Sequence, residues 1–182
     1  MKITDYVTKE EMKLLMEEAK KFTLLKQQRK VLCRVLPFLD TDTPEETLRK
    51  FDTHTNWKYL GNLGELLFIR YIEKEIGHTI EHNILYKTKK GNIGDIDTIT
   101  KTGLKGDIKT SNNEIMNINK KDLMVNDIFI KVRVNTNKNE FNILGFITKK
   151  DIYRRVRPNG DVYYVYYKTL NHNLEELKKY YV

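Results

Sequence analysis

In the run Asn92 to Ser111, NIGDIDTITKTGLKGDIKTS, an acid on one short segment is followed by an Asp-x-Lys on the next. If the two segments pair as antiparallel strands, Asp97, Asp107 and Lys109 can be held together on a rigid sheet. Two carboxylates and an ammonium in that arrangement suit metal-assisted phosphodiester cleavage. Bare carboxylates a few ångströms apart repel, and a divalent cation removes the conflict. Hard oxygen donors with neither thiolate nor imidazole point to Mg²⁺ or Mn²⁺. Upstream, Glu65 interrupts the apolar run GNLGELLFIRYI. Glutamate is rarely fully buried without a partner, so its place there calls for a reason, either the same constellation or a pairing with Arg70.

Convergence depends on loop parity, because side chains alternate faces along a strand. Asp107 and Lys109 share one face, and so do Asp95 and Asp97. A loop of odd length such as Thr102-Gly103-Leu104 brings Asp97 opposite Lys109 and the acids together. A two-residue Thr102-Gly103 loop puts them on opposite faces. The alternative to a catalytic role is a solvated strand face, which is where a lone Asp-x-Lys usually sits.

The order Gly64-Glu65 on a helix, then GDIDTI, then DIKTS resembles the PD-(D/E)xK nuclease superfamily of restriction-endonuclease fold. It is similar in particular to YraN-like proteins and Holliday-junction resolvases. The resemblance covers about Asn56 to Ser111. It implies that Asp97 is the signature acid, Asp107 and Lys109 the acid and lysine of (D/E)xK, and Glu65 the helix acid. It also implies that Glu65, Asp97, Asp107 and the Ile108 carbonyl hold the metal. Asp107 stands where glutamate is more frequent, and Asp95 competes with Asp97 as the ligand. The activity implied is that of a metal-dependent DNA endonuclease. The alternatives are a structure-specific junction resolvase, which would most often be a homodimer, and a non-catalytic nucleic-acid-binding module that keeps the fold.

The elements that must position these residues follow from patterning. Thr8 caps a helix with Glu10 and Glu11 in its first turn, and apolar residues recur at helical spacing from Met12 towards Pro37. Thr43-Pro44-Glu45-Glu46 starts a second, short helix. These residues, 1–55, form a helical extension packed on an α/β core at 56–182. Asn56 to Ile76 reads as the helix carrying Glu65, ended by Gly77. Strands are expected at Thr79 to Leu85, in the hairpin Ile93 to Thr110, at Asp127 to Asn135, from Phe141, and in the tyrosine-rich run after Pro158-Asn159-Gly160. Asn112 to Asn126 reads as polar and irregular with a short helix near Lys120. Helical turns follow at Lys149 to Arg155 and Asn173 to Tyr181. The fold class is α/β, a mixed β-sheet flanked by helices.

Composition sets the outer bounds. The chain has 182 residues, net charge +8, 40% hydrophobic and 32% charged residues, which is ordinary for a folded domain. Its longest apolar runs fall far short of a membrane span, and no signal region follows Met1, so a cytoplasmic location is expected. The lone Cys33 excludes an internal disulfide and a cysteine-rich zinc site. The scattered His54, His78, His82 and His172 give no metal-ligand spacing. The basic balance favours an anionic partner, nucleic acid first, most naturally double-stranded or branched DNA. Candidate phosphate contacts are Lys87, Lys89 and Lys90 before the first motif strand, Lys120 and Lys121 after the second, and Arg154, Arg155 and Arg157. One face of the strand bearing Tyr163, Tyr164, Tyr166 and Tyr167 belongs to the core, and the other is available for base stacking.

Overall fold

The computed structural model describes residues 1–15, Thr43, 57–82 and 97–182. The expectations for Cys33, His54, Lys87, Lys89, Lys90, Asp95 and most of the second helical start fall outside them.

The first residues enter the body of the protein rather than trailing from it. Ile3 N donates to Asn139 O and Phe141 N to Met1 O. Thr8 then begins a helix as its sequence requires: Thr8 Oγ1 accepts from Glu11 N, and Glu11 Oε2 accepts from Thr8 N. This reciprocal pair satisfies two of the helix's otherwise unpartnered donors. Met12 and Leu15 on this helix are buried with Ile3 and Val7.

Helix α1, Trp57–Ile76, is the spine of the molecule. Its residues 62–69 are all buried, so it is enclosed on every side there rather than half-wetted. That explains why its sequence shows no clean polar stripe: one side meets the main sheet and another meets the N-terminal segment. Full burial of Leu66, Leu67, Phe68 and Ile69 contributes about 1.5–3 kcal/mol per side chain relative to exposure. The helix stops at Gly77, which takes φ +75 and donates its N–H to Glu73 O.

The main sheet has five strands in the order β1 (Glu81–His82), β2 (Thr98–Ile99), β3 (Lys105–Thr110), β5 (Ile128–Asn135), β6 (Glu140–Thr148). Among the described strands only the β3–β5 pair is parallel, so the sheet is mixed. A parallel neighbour needs a crossover, and here β4 (Ile115–Asn119) and α2 (Lys120–Val125) supply it. The short helix expected near Lys120 is present, but the stretch before it, expected to be irregular, is an ordered strand. Its alternation is visible once located, with Met116 and Ile118 buried and Asn117 exposed. After β6 come α3 (Lys149–Arg155), β7 (Pro158–Asn159), β8 (Val162–Tyr166) and α4 (Leu174–Lys178). The tyrosine-rich strand does not extend the main sheet; β4, β8 and β7 form a second, three-stranded sheet.

Two apolar layers result. Ile108, Ile128 and Ile130 join α1, the N-terminal residues and Tyr181 in one core. Phe129, Ile147 and Ile152 join Met116, Ile118, Tyr163 and Val165 in the other, between the two sheets. The contact between α1 and β3 is set by Gly64. A Cβ there would lie 2.0 Å from Thr110 Oγ1 and 2.9 Å from Thr110 Cβ. Rotating the threonine moves its hydroxyl and methyl but not its Cβ, so the clash cannot be relieved locally.

Gly64→Ala therefore destabilises the fold by about 1–3 kcal/mol in urea melts, despite alanine's better helix propensity. Adding Thr110→Ala recovers part of that loss, whereas a neutral Gly64→Ala would disprove the close approach.

Candidate active site

The hairpin between β2 and β3 turns through Lys101, Thr102 and Gly103. Gly103 N donates to Thr100 O, Thr100 N donates to Leu104 O, and Gly103 takes φ +79. This is a three-residue loop with glycine in the left-handed position. The loop is odd, as convergence needs, but one residue earlier than Thr102-Gly103-Leu104. The register shifts by two: Thr98 pairs with Gly106 and Ile99 with Lys105. Asp97, just before that ladder, is thereby brought near Asp107 rather than opposite Lys109.

The ladder is irregular where Asp97 enters it. Its N–H donates to Gly106 O, although Thr98 is the ladder partner of Gly106. Two successive residues set against one is bulge geometry, and bulges re-aim side chains. Here the side chain turns back along β3, and Asp97 Oδ2 accepts from Ile108 N at 2.7 Å. The carboxylate takes the place of a strand carbonyl that the short β2 does not provide. Within a strand the N–H and C=O of one residue point the same way, so the Ile108 carbonyl lies along this edge too. Asp97 is 3% exposed.

Asp107 and Lys109 project from the other face of β3 from Ile108, away from α1. Asp107 is 6% exposed. Lys109 Nζ lies 2.7 Å from Asp107 Oδ2 and 3.1 Å from Asp122 Oδ2. Asp122, in the first turn of α2, also reaches back to Asn119 as part of a capping box. It was not among the residues singled out from the sequence, although Asn119-x-x-Asp122 has the spacing of a helix start. Lys131 was missed as well. It is fully buried opposite Lys109 on β5, and its Nζ donates to Ser111 Oγ at 2.9 Å and Ile115 O at 3.0 Å.

These positions shift the protonation equilibria. Burial pushes the Asp107 carboxyl up to about 7; Lys109 pulls the other way, while the negative charges of Asp97 and Asp122 add to the rise. Burial works to lower the Lys109 ammonium, but the two acids more than reverse this and hold it above the ordinary lysine range. Burial, with Arg133 nearby, lowers Lys131 to about 8.

Glu65 is 7% exposed on α1, next to the Gly64–Thr110 contact that seats the helix on β3. Arg70 is not its partner, since Arg70 pairs with Glu11 at 2.6 Å and Glu73 at 2.9 Å. Among the described residues no three histidines, cysteines or acids form a group able to hold an ion. Asp97, Asp107 and Glu65 are therefore not drawn into a ready three-acid cage. A Mg²⁺ ion does not require one, since it keeps several waters and is often held by one or two carboxylates. The donor set that fits it is Asp97, Asp107 and the Ile108 carbonyl, with Asp107 raised first by its burial and then by the charges of Asp97 and Asp122.

Of the basic groups, Lys120 lies 3.3 Å from Asp161, and Arg154 and Arg155 each lie 3.5 Å from Asp151. All three are on the surface, as are Lys121 and Arg157. Gly61 to Gly64, which superficially suggest a nucleic-acid-binding loop, lie inside α1. No helix of the described residues is long and apolar enough to cross a membrane. No family model, curated protein or solved structure matches the chain.

The titration of Asp107 gives a direct test. Its folded pKa lies above the ordinary 3.8, so the folded state holds this proton more tightly than the unfolded chain. The stabilisation is present below about pH 4 and is lost as pH rises through about 7. In thermal melts in EDTA, the wild type should lose stability between about pH 5 and about pH 8, and Asp107→Asn should lose markedly less. Parallel pH profiles for the two proteins would refute the raised pKa.

Proposed function

We propose that this protein is a metal-dependent nuclease of restriction-endonuclease-like fold, cleaving DNA at a site built from Asp97, Asp107 and Lys109. The observation carrying this reading is the convergence on β3 of two buried acids, one raised to about 7, beside a lysine held fully charged. The mixed sheet, with α1 against the motif strand, is the architecture such a site needs. A Mg²⁺ or Mn²⁺ ion held by Asp97, Asp107 and the Ile108 carbonyl would polarise a phosphodiester and activate water.

The protein's own groups have separable tasks. Asp97 is fixed by Ile108 N and cannot swing away, which pre-pays the entropy of ligand alignment. Lys109 balances charge developing on the phosphoryl oxygens. Asp122 restrains Lys109 from the far side, so that the ammonium does not depend on Asp107 alone for its position. Glu65 sits next to the Gly64 contact that seats α1 on β3 and is the candidate for a further ion or a metal-bound water. The net charge of +8 suits a polyanionic substrate. Resolution of a four-way junction by a homodimer is a narrower form of the same reading.

Plasmid and branched DNA incubated with Mg²⁺, Mn²⁺ or EDTA provide the test. Wild type should cut only with metal, and Asp107→Ala and Lys109→Ala should lose about 100-fold or more, as expected when transition-state charge stabilisation is removed. Equal cutting by all three proteins would reject the assignment. Asp122→Asn should weaken cleavage less than Lys109→Ala and leave metal affinity unchanged.

A second reading is favoured by the pairing of Lys109 with both Asp107 and Asp122. In it the chain is a non-catalytic nucleic-acid-binding module, and Asp107–Lys109–Asp122 is a structural ion triad. Calorimetric Mn²⁺ binding that disappears in Asp97→Ala decides against it.

A further inference from the structure

The outer face of the second sheet carries a feature that the cleavage site does not use. β8 alternates strictly: Tyr163 and Val165 are buried, while Tyr164 and Tyr166 stand outward, 37% and 52% exposed. Tyrosine is enriched at interfaces, where its ring packs and its hydroxyl stays wet. Along the same face runs an open groove of about 350 Å³ whose walls include Arg155, Arg157, Asn159, Tyr164 and Tyr166. The guanidiniums come from the end of α3 and the segment leading into β7; the rings come from β8. Asp151 is the only acid of the described residues paired with either arginine, at 3.5 Å from a half-exposed Arg155. Tyr167, beyond the strand, is already engaged with the His172 ring at 4.4 Å and is not part of this row.

We propose that this groove binds single-stranded nucleic acid, with Tyr164 and Tyr166 as stacking platforms for unpaired bases and Arg155 and Arg157 as phosphate contacts. On a strand, residues two apart share a face at about 6.6–7 Å, and bases of an extended single strand can spread to that spacing. A duplex does not suit the surface, because its base faces are already stacked and only its edges and backbone are presented. Asn159 offers an amide that can reach base edges or sugar without imposing a sequence. The proposal rests on the nuclease reading only in taking nucleic acid as the ligand; its site is on a different sheet face from Asp107 and Lys109. In a protein that cleaves branched or frayed DNA, such a groove would hold the unpaired strand away from the cut.

Fluorescence anisotropy with labelled oligonucleotides of mixed sequence, in EDTA so that nothing is cleaved, tests it on the whole chain. The single strand should bind more tightly than the blunt duplex of the same sequence. Tyr166→Ala should weaken single-strand binding roughly 5- to 150-fold, the range expected for losing one stacked base. Tyr166→Phe should retain it, since the ring face is what matters. Arg157→Ala should reduce the salt dependence of log K by about 0.7, the release of one counterion from a single strand. All these side chains are exposed, so the variants keep the fold. Wild-type binding by both Tyr166→Ala and Arg157→Ala, or a preference for duplex, would overturn the proposal. Cleavage measured alongside separates the two hypotheses: loss of cutting in Asp107→Ala with intact Tyr166-dependent binding leaves both standing. Metal-independent binding without any cutting leaves the groove and removes the nuclease.

Discussion

A carboxylate cannot be buried as an ion unless something nearby compensates, and this constraint organises the centre of the protein. Asp107 sits at 6% exposure on the face of β3 that meets the second layer. Lys109, two residues on and therefore on the same face, is the compensation. Lys109 is itself shielded, so it engages a second acid, and that acid comes from the first turn of α2. A charge requirement on one strand thus fixes where the crossover helix begins. Because α2 follows β4 directly, it also fixes the strand on which the second sheet is built.

The arrangement is costly for a structural device alone. An apolar pair of similar volume at 107 and 109 would hold the two layers together as well or better, because buried ion pairs seldom repay their desolvation. The chain instead keeps an aspartate whose pKa is driven to about 7 and places a second, 3% exposed aspartate near it. Like charges gathered in a shielded place raise the free energy of the metal-free protein. A bound cation would return that energy, which is the physical reason for the proposed functional reading.

How much of this was legible in the sequence varies with the range of the interaction involved. Thr8 as a cap, Gly77 as a stop and α1 itself follow from local rules and appear where expected. The parallel pairing of β3 with β5 does not, because nothing local reports which strand lies beside which. β4 was obscured for a related reason. Its strand period is carried by only two buried residues, Met116 and Ile118, set among asparagines and lysines. Asp122 went unnoticed because its spacing to Lys109 has no meaning until the crossover is folded. Lys131 was hidden inside the alternating run DIFIKVRVN, where the pattern assigns a lysine to solvent. It is instead buried, with a serine hydroxyl and a carbonyl to receive its protons.

The hairpin is the instructive intermediate case. Parity reasoning required an odd loop, and the loop is odd, yet Asp97 does not obtain its place from parity alone. Among the described residues β2 is Thr98–Ile99, and Ile108 N is met by the Asp97 side chain rather than by a ladder carbonyl. A buried N–H left unpaired costs roughly 1–3 kcal/mol. Asp97 removes that cost by offering its carboxylate at 2.7 Å, which the bulge against Gly106 makes possible. The same hydrogen bond satisfies the strand and aims the acid. A side-chain oxygen in place of a ladder carbonyl is therefore what sets a carboxylate beside the Ile108 backbone.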